Sequence, residues 1–135
     1  MKNKILLAAF MTAGLAATSN QVIAQKLMNS SRSIVGYIEN GCVRNSSRST
    51  IGYIENEKIL GSNRSIIGYY EDGKVMGSNR SIIGYIENGR VLGSNRSIKG
   101  YVEDGKVLDS SRSIMGYYES TLPSQTALYF FFFFN

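Results

Sequence analysis

Histidine and tryptophan are absent from this 135-residue chain, and cysteine and proline occur once each. With no His, no Cys pair and acidic residues that mostly recur at fixed repeat positions, catalysis by an imidazole base, a thiolate metal site or an isolated carboxylate dyad has no residues to use. An enzyme is therefore not expected, and neither is a metal or other cofactor. Excess charge is also scarce: 15 Lys and Arg stand against 10 Asp and Glu, a net +5. Lys2 and Lys4 fall in the leader, which leaves 13 basic against 10 acidic residues, or +3. So mild an excess, interspersed with Glu, lacks the basic stripe that phosphate neutralisation needs, so no nucleic-acid partner is expected. What is present, 14 Gly, 9 Tyr and 43% hydrophobic residues, describes a folded β-rich domain rather than a disordered or collagen-like chain.

Residues 1–24 read as a cleavable secretory signal. Lys2 and Lys4 precede a largely apolar stretch from Ile5 to Ala17, and Val22 and Ala24 fit the small-residue requirements of a signal peptidase, so cleavage is expected after Ala24. The stretch is shorter than the ~20 residues of a membrane-spanning helix, and no span is expected in the mature chain. The expected destination is periplasm, cell surface or medium. In such an oxidising space Cys42 has no intrachain partner; it is expected as a free, partly buried thiol, with cross-linking of two chains as the alternative.

From residue 25 onward the chain is one repeat domain. A sixteen-residue unit, [Lys/Arg]-Val-x-x-Ser-x-Arg-Ser-Ile-x-Gly-Tyr-x-Glu-[Asn/Asp]-Gly, recurs six times, starting at Lys26, Cys42, Lys58, Lys74, Arg90 and Lys106 and filling 26–120. A unit this short cannot bury its apolar face alone, so the copies must pack on one another. The Ser-Ile-x-Gly-Tyr-x-Glu segment is rich in strand formers and ends in Asn40-Gly41, Asp72-Gly73, Asn88-Gly89 or Asp104-Gly105. These dipeptides supply the two positive-φ residues of a type I′ hairpin turn. The second connection, such as Gly61-Ser62-Asn63-Arg64, predicts a short polar loop. Two strands per unit, twelve in all, and no helix are expected. Alternation places Ile66, Gly68 and Tyr70 on one face and Ser65, Ile67, Tyr69 and Glu71 on the other. The Gly between apolar neighbours is expected to mark a bend or a close approach of backbone.

A parallel solenoid would stack identical residues at about 4.8 Å. Columns of Arg and of Glu would then repel by roughly 0.9 kcal/mol per step in water. An antiparallel meander spaces equivalent residues about 9.5 Å apart. It also uses the I′ turns, and it is expected to close into a ring because an open one would leave two edges. The fold class expected is therefore all-β: a closed, pseudo-symmetric array of short antiparallel hairpins with a C-terminal Phe-rich strand.

The tandem of Lys-Val-x-x-Ser-Asn-Arg-Ser-Ile-Ile-Gly-Tyr-Ile-Glu-Asn-Gly units behind a signal, ended by an aromatic tail, resembles the small secreted bacterial proteins called five-fold β-flower proteins. The resemblance covers the mature chain and implies a closed pseudo-symmetric array of β-hairpins. It brings no catalytic residues and no established activity. Six units stand here against five in the family's name: either a terminal unit is split or spent on closure, or the correspondence is loose. The turn replacements Asn56-Glu57 and Ser120-Thr121 mark places where closure could alter the pattern.

The tail, 121–135, carries Tyr129 and five Phe from Phe130 to Phe134. It reads as a strand buried on both sides, which plugs the array or forms a homo-oligomer interface. The candidate binding groups are the repeated Arg32, Arg48, Arg64, Arg80, Arg96 and Arg112, with Tyr37, Tyr53, Tyr69, Tyr85, Tyr101 and Tyr117, and Glu39, Glu55, Glu71, Glu87, Glu103 and Glu119. They could hold a glycan or another small ligand by stacking and hydrogen bonding. The plainer reading is that each Arg pairs with a Glu of a neighbouring strand while each Tyr packs its ring. Expected overall is an exported structural or interaction domain, with a glycan- or small-ligand-binding module as the alternative.

Overall fold

The computed structural model describes residues 25–135, so the leader reading lies outside the described residues. Short and long strands alternate: β1 Lys26–Asn29, β2 Ile34–Glu39, β3 Cys42–Asn45, β4 Thr50–Glu55, β5 Lys58–Gly61 and β6 Ile66–Glu71. They continue as β7 Lys74–Gly77, β8 Ile82–Glu87, β9 Arg90–Gly93, β10 Ile98–Glu103, β11 Lys106–Asp109 and β12 Ile114–Glu119. Each pairs antiparallel with its sequence neighbours, and β12 pairs with β1, so the sheet closes into a twelve-stranded barrel. The meander and its closure are as the repeat implies.

Closure settles what happens to the sixth unit. The seam register, Gly116↔Asn29 through Glu119↔Lys26, matches that inside a hairpin, Gly36↔Asn45 through Glu39↔Cys42. Five hairpins are continuous in the chain, and the sixth is assembled from the barrel's first and last strands without a turn. Gln25 takes the place of the turn glycine: its carbonyl accepts from the Ile38 N–H at 3.2 Å, as the Gly41 carbonyl accepts from Ile54 at 2.7 Å. Its side-chain amide also donates to the Ser120 carbonyl at 3.2 Å.

The I′ turns form where Asn-Gly and Asp-Gly stand, with φ of 52° and 79° at Asn40 and Gly41. Asn56 and Glu57 adopt the same conformation at 49° and 70°, although Glu57 carries the Cβ that Gly lacks. At the opposite end of the barrel the polar loops close by hydrogen bonds such as Arg64 N–H to Gly61 O and Gly61 N–H to Ser65 O, both 2.9 Å. Here the repeat uses two interchangeable chemistries. Where the first loop residue is Asn29, Asn45 or Asp109, its Oδ1 accepts two backbone N–H groups, two and four residues on, at 2.9–3.0 Å. Where that residue is Gly61, Gly77 or Gly93, an Asn two positions later accepts from the backbone N–H and hydroxyl of Ser65, Ser81 or Ser97 instead.

Simple alternation fails at one place in every unit. The register steps from Ile59↔Gly68 to Leu60↔Ile66, so Ile67 is the extra residue of a β-bulge. Ile66 therefore does not share a face with Gly68 and Tyr70 as expected; it points outward, 40% exposed. Ile67 instead packs with Tyr70 against the core residues Ile59, Val75 and Leu128. Tyr69 and Glu71 share a face as expected, the outer one, but without Ile67, which the bulge turns inward.

The tail corrects the sequence reading. It is not a strand: Pro123–Leu128 is an α-helix, α1, and Tyr129–Phe133 continues it as a wider π-helical turn. Pro123 fits the first turn, where its missing N–H costs nothing. The reason for a helix is hydrogen bonding. The closed barrel offers no free edge, so a strand in its lumen would leave its own N–H and C=O groups unpaired, whereas a helix satisfies most of them itself. Ala127 and Leu128 are fully buried, and Tyr129 and Phe130 are buried with them among Leu27, Val43, Val91 and Val107. Burial raises the Tyr129 phenol above its ordinary pKa of 10.0, and its hydroxyl donates to the Val35 carbonyl at 3.3 Å.

Replacing Glu57 by Gly should stabilise the barrel by about 0.5–1 kcal/mol, the relief of a left-handed residue less the greater freedom of Gly when unfolded. A urea titration reads this as a higher midpoint at unchanged slope. No increase would mean that Glu57 is held there without strain.

Candidate functional site

Outside the barrel the repeated Arg, Tyr and Glu come together in the same way around the ring. Each Arg sits at the end of the polar loop with φ between 65° and 68°, a left-handed conformation normally left to Gly or Asn. From there its guanidinium lies over the Tyr ring of the unit before. Arg48 covers Tyr37, Arg64 covers Tyr53, Arg80 covers Tyr69, Arg96 covers Tyr85 and Arg112 covers Tyr101, at 3.9–4.1 Å from the ring centre. Arg32 covers Tyr117 across the seam at 3.8 Å, which completes the circle.

The Glu two residues beyond the Tyr holds the far side of the guanidinium. Arg64 reaches Glu55 with both terminal nitrogens, at 3.2 and 2.8 Å. Arg96–Glu87 and Arg112–Glu103 are 3.0 Å apart, Arg48–Glu39 is 3.5 Å and Arg80–Glu71 is 3.6 Å. The hydrogen bond from Arg64 holds the Glu55 carboxyl below its usual pKa, and the same bond raises Arg64. The seam differs. Among the described residues Glu119 is not within ion-pair distance of Arg32; it lies opposite Lys26 in the register instead. Five full triads and one Arg–Tyr pair result.

A covered outer layer lies beneath these groups. Leu60 stands opposite Tyr53 on one side and Ile66 on the other and is 6% exposed, as are, nearly, Met76, Leu92 and Leu108 at equivalent positions. The Arg–Tyr stack therefore roofs a small apolar patch in each unit, a petal on the outside of the barrel. Arg side chains keep their outer edges in water, 55–57% exposed.

Residues 24–135 match the family described as 5-fold beta-flower protein. The chain belongs to this β-flower family. No curated protein and no solved structure matches it. This β-flower closes with six repeats, one of them split between the first and last strands of the barrel.

One petal of the β-flower departs from the others. In the unit that starts at Cys42, three outward positions change at once: Cys42 replaces Lys or Arg, Arg44 replaces Leu or Met, and Thr50 replaces Ile. Arg44 faces Tyr37 and Thr50 in the register, and Cys42 Sγ lies 3.5 Å from Thr50 Oγ1. The thiol is free and partly buried. Arg44 Nε is 3.8 Å from Glu39, which already serves Arg48, and it is buried with no hydrogen-bond partner among the described residues. The smaller, more polar Cys42 and Thr50 accommodate a guanidinium where other petals hold a hydrocarbon. Among the described residues no group of three or more His, Cys, Asp and Glu is placed to hold a metal ion.

The Arg stack has a separable energetic signature. Arg80→Ala should cost about 0.5–1 kcal/mol, because it loses the contact with Tyr69 and keeps the positive φ. Arg80→Gly should fall within about 0.5 kcal/mol of the native protein, because relief of the left-handed conformation offsets the loss. Equal stability of the Ala variant and the native chain in denaturant titrations would show that the stack contributes nothing. Rebuilding the odd petal with Cys42→Lys, Arg44→Leu and Thr50→Ile should stabilise by about 1–3 kcal/mol, the cost of one buried unpaired polar group. Differential scanning calorimetry tests this, and a lower Tm would show that the Arg44 petal is stabilising as it stands.

Proposed function

We propose that this protein is an exported, non-enzymatic structural or interaction domain. The observation that supports this reading is the closed accounting of the repeated polar groups. Five of the six guanidinium groups are already stacked on a Tyr and paired with a Glu, and the sixth is stacked. Those contacts hold petals together and consume the stacking faces that a sugar would use. The lumen is taken up by the chain's own tail.

Of the tail residues that are the candidate oligomer interface, Phe130 is buried in the barrel and Phe131–Phe134 are half-buried, so a homo-oligomer through them would use the part of those rings that stays exposed. No helix of the described residues is long and apolar enough to cross a membrane. The strands of four and six residues are shorter than the ~9–11 of a membrane barrel strand. Export rests on the leader, and N-terminal sequencing of protein recovered from the producing cell should begin at Gln25.

The second reading, a glycan- or small-ligand-binding module, draws on the outward edges of the guanidinium groups, which present a ring of donors to solvent. It requires a ligand that bonds to those edges without stacking on Tyr. Glycan-array binding together with thermal shift of residues 25–135 separates the two readings. The structural reading expects no saturable stabilisation. Saturable stabilisation that disappears in Tyr85→Ala, with its circular dichroism spectrum unchanged, would establish the binding reading in its place.

A further inference from the structure

The inner faces of the six long strands each carry one glycine: Gly36, Gly52, Gly68, Gly84, Gly100 and Gly116. Against each lies a different aromatic side chain of the tail. Tyr129 meets Gly36, Phe130 meets Gly116, Phe131 meets Gly100, Phe132 meets Gly84, Phe133 meets Gly68 and Phe134 meets Gly52. Five of these contacts are close enough to exclude a methyl group, and at Gly116 a Cβ would stand 3.1 Å from the Phe130 ring, which would have to give way. A Cβ at Gly84 would stand 2.6 Å from the Phe132 ring, and one at Gly100 would stand 2.6 Å from Phe131.

The order of these contacts matters. Successive tail residues visit β2, β12, β10, β8, β6 and β4, one repeat at a time around the barrel, and six residues complete one circuit. Each step must therefore turn through roughly 60°, a sixth of a circle, whereas an α-helix turns through about 100° per residue. The backbone responds by widening from α1 into the π-helical turn at Tyr129–Phe133, which rotates less per residue and so comes nearer the required step. The π-helical segment starts at the first residue of the aromatic series.

We infer that the lumen is a six-sector receptor for consecutive aromatic side chains, one per repeat, and that the aromatic run of the tail is matched in number to the repeats of the ring. A sixth repeat without a sixth aromatic residue leaves a glycine-floored sector empty. A sixth aromatic residue in a five-repeat ring has no sector to enter.

The test removes the same residue from two rings. In the six-repeat chain, deletion of Phe134 places Asn135 opposite Gly52 and should lower Tm by on the order of 5–10 °C. In a chain lacking Lys74–Gly89, one whole repeat, the same deletion should raise Tm, because five aromatic residues then face five sectors. A change of the same sign in both rings overturns the inference. A second comparison decides the matter if five-repeat chains do not fold. Insertion of one extra Phe into the full chain should leave Tm unchanged or lower it, since the six sectors are filled. A rise comparable to the loss on deletion would show that the tail acts only through its apolar bulk, and would overturn the matching.

Discussion

A closed barrel of twelve short strands has more lumen than its own inward side chains can fill, and whatever fills it must bring no unpaired backbone with it. Eight strands leave an interior about wide enough for side chains alone, and diameter grows with strand number. The β-flower meets this constraint with residues from outside the repeat. Short-strand residues such as Val75 and Ile59 and long-strand residues such as Tyr70 form the inner wall, and α1 with Tyr129–Phe134 occupies the axis. The glycines are the counterpart of that choice. A strand interior that gives up a side chain at Gly68 or Gly84 weakens the strand, and the ring of Phe133 or Phe132 takes the space instead.

The outer surface solves a different problem with the same economy of parts. Leu60 and its equivalents lie on the solvent side of the sheet, where a single-layer barrel has no second sheet to cover them. An arginine is placed at a loop position whose backbone favours glycine, and its stem and guanidinium cover the Tyr beside that apolar residue. Six positive-φ arginines in register show that the side chain is worth its backbone strain, in keeping with strained residues being held where the surrounding structure over-determines them. The Arg44 petal shows the limit of this arrangement. Once the apolar residue under the roof becomes charged, Glu39 must serve two guanidinium groups and Arg44 Nε is left without a hydrogen-bond partner among the described residues.

Much of this architecture was legible in the residues. Asn40-Gly41 and its equivalents announced the hairpins, the like-charge columns argued against a solenoid, and the recurring mid-strand glycine announced a close approach. Legibility stopped where local preference and global context disagree. Five consecutive Phe read as a strand because aromatic residues favour sheets, and only the absence of a free edge inside a closed barrel makes them helical. The bulge at Ile67 leaves no local mark, since Ile66 and Ile67 are alike in size and hydropathy and only the pairing distinguishes outward from inward. The left-handed Arg was hidden by its identity, because Asn, Gly or Asp was the residue to look for. The signal that could have tied the tail to the lumen was arithmetical: six aromatic residues in succession and six repeat glycines.

The turnless hairpin between β12 and β1 sets the order in which the molecule can be made. Until the last long strand has emerged, β1 has no neighbour on one side, and the growing sheet is an open ribbon with two adhesive borders. The axis segment follows β12 in the chain and so arrives after the ribbon that wraps around it. A protein built in this way has little to gain from folding before it is complete. A cut at one of the I′ turns would leave all twelve pairings possible, whereas loss of Lys26–Asn29 would unfasten the whole circle.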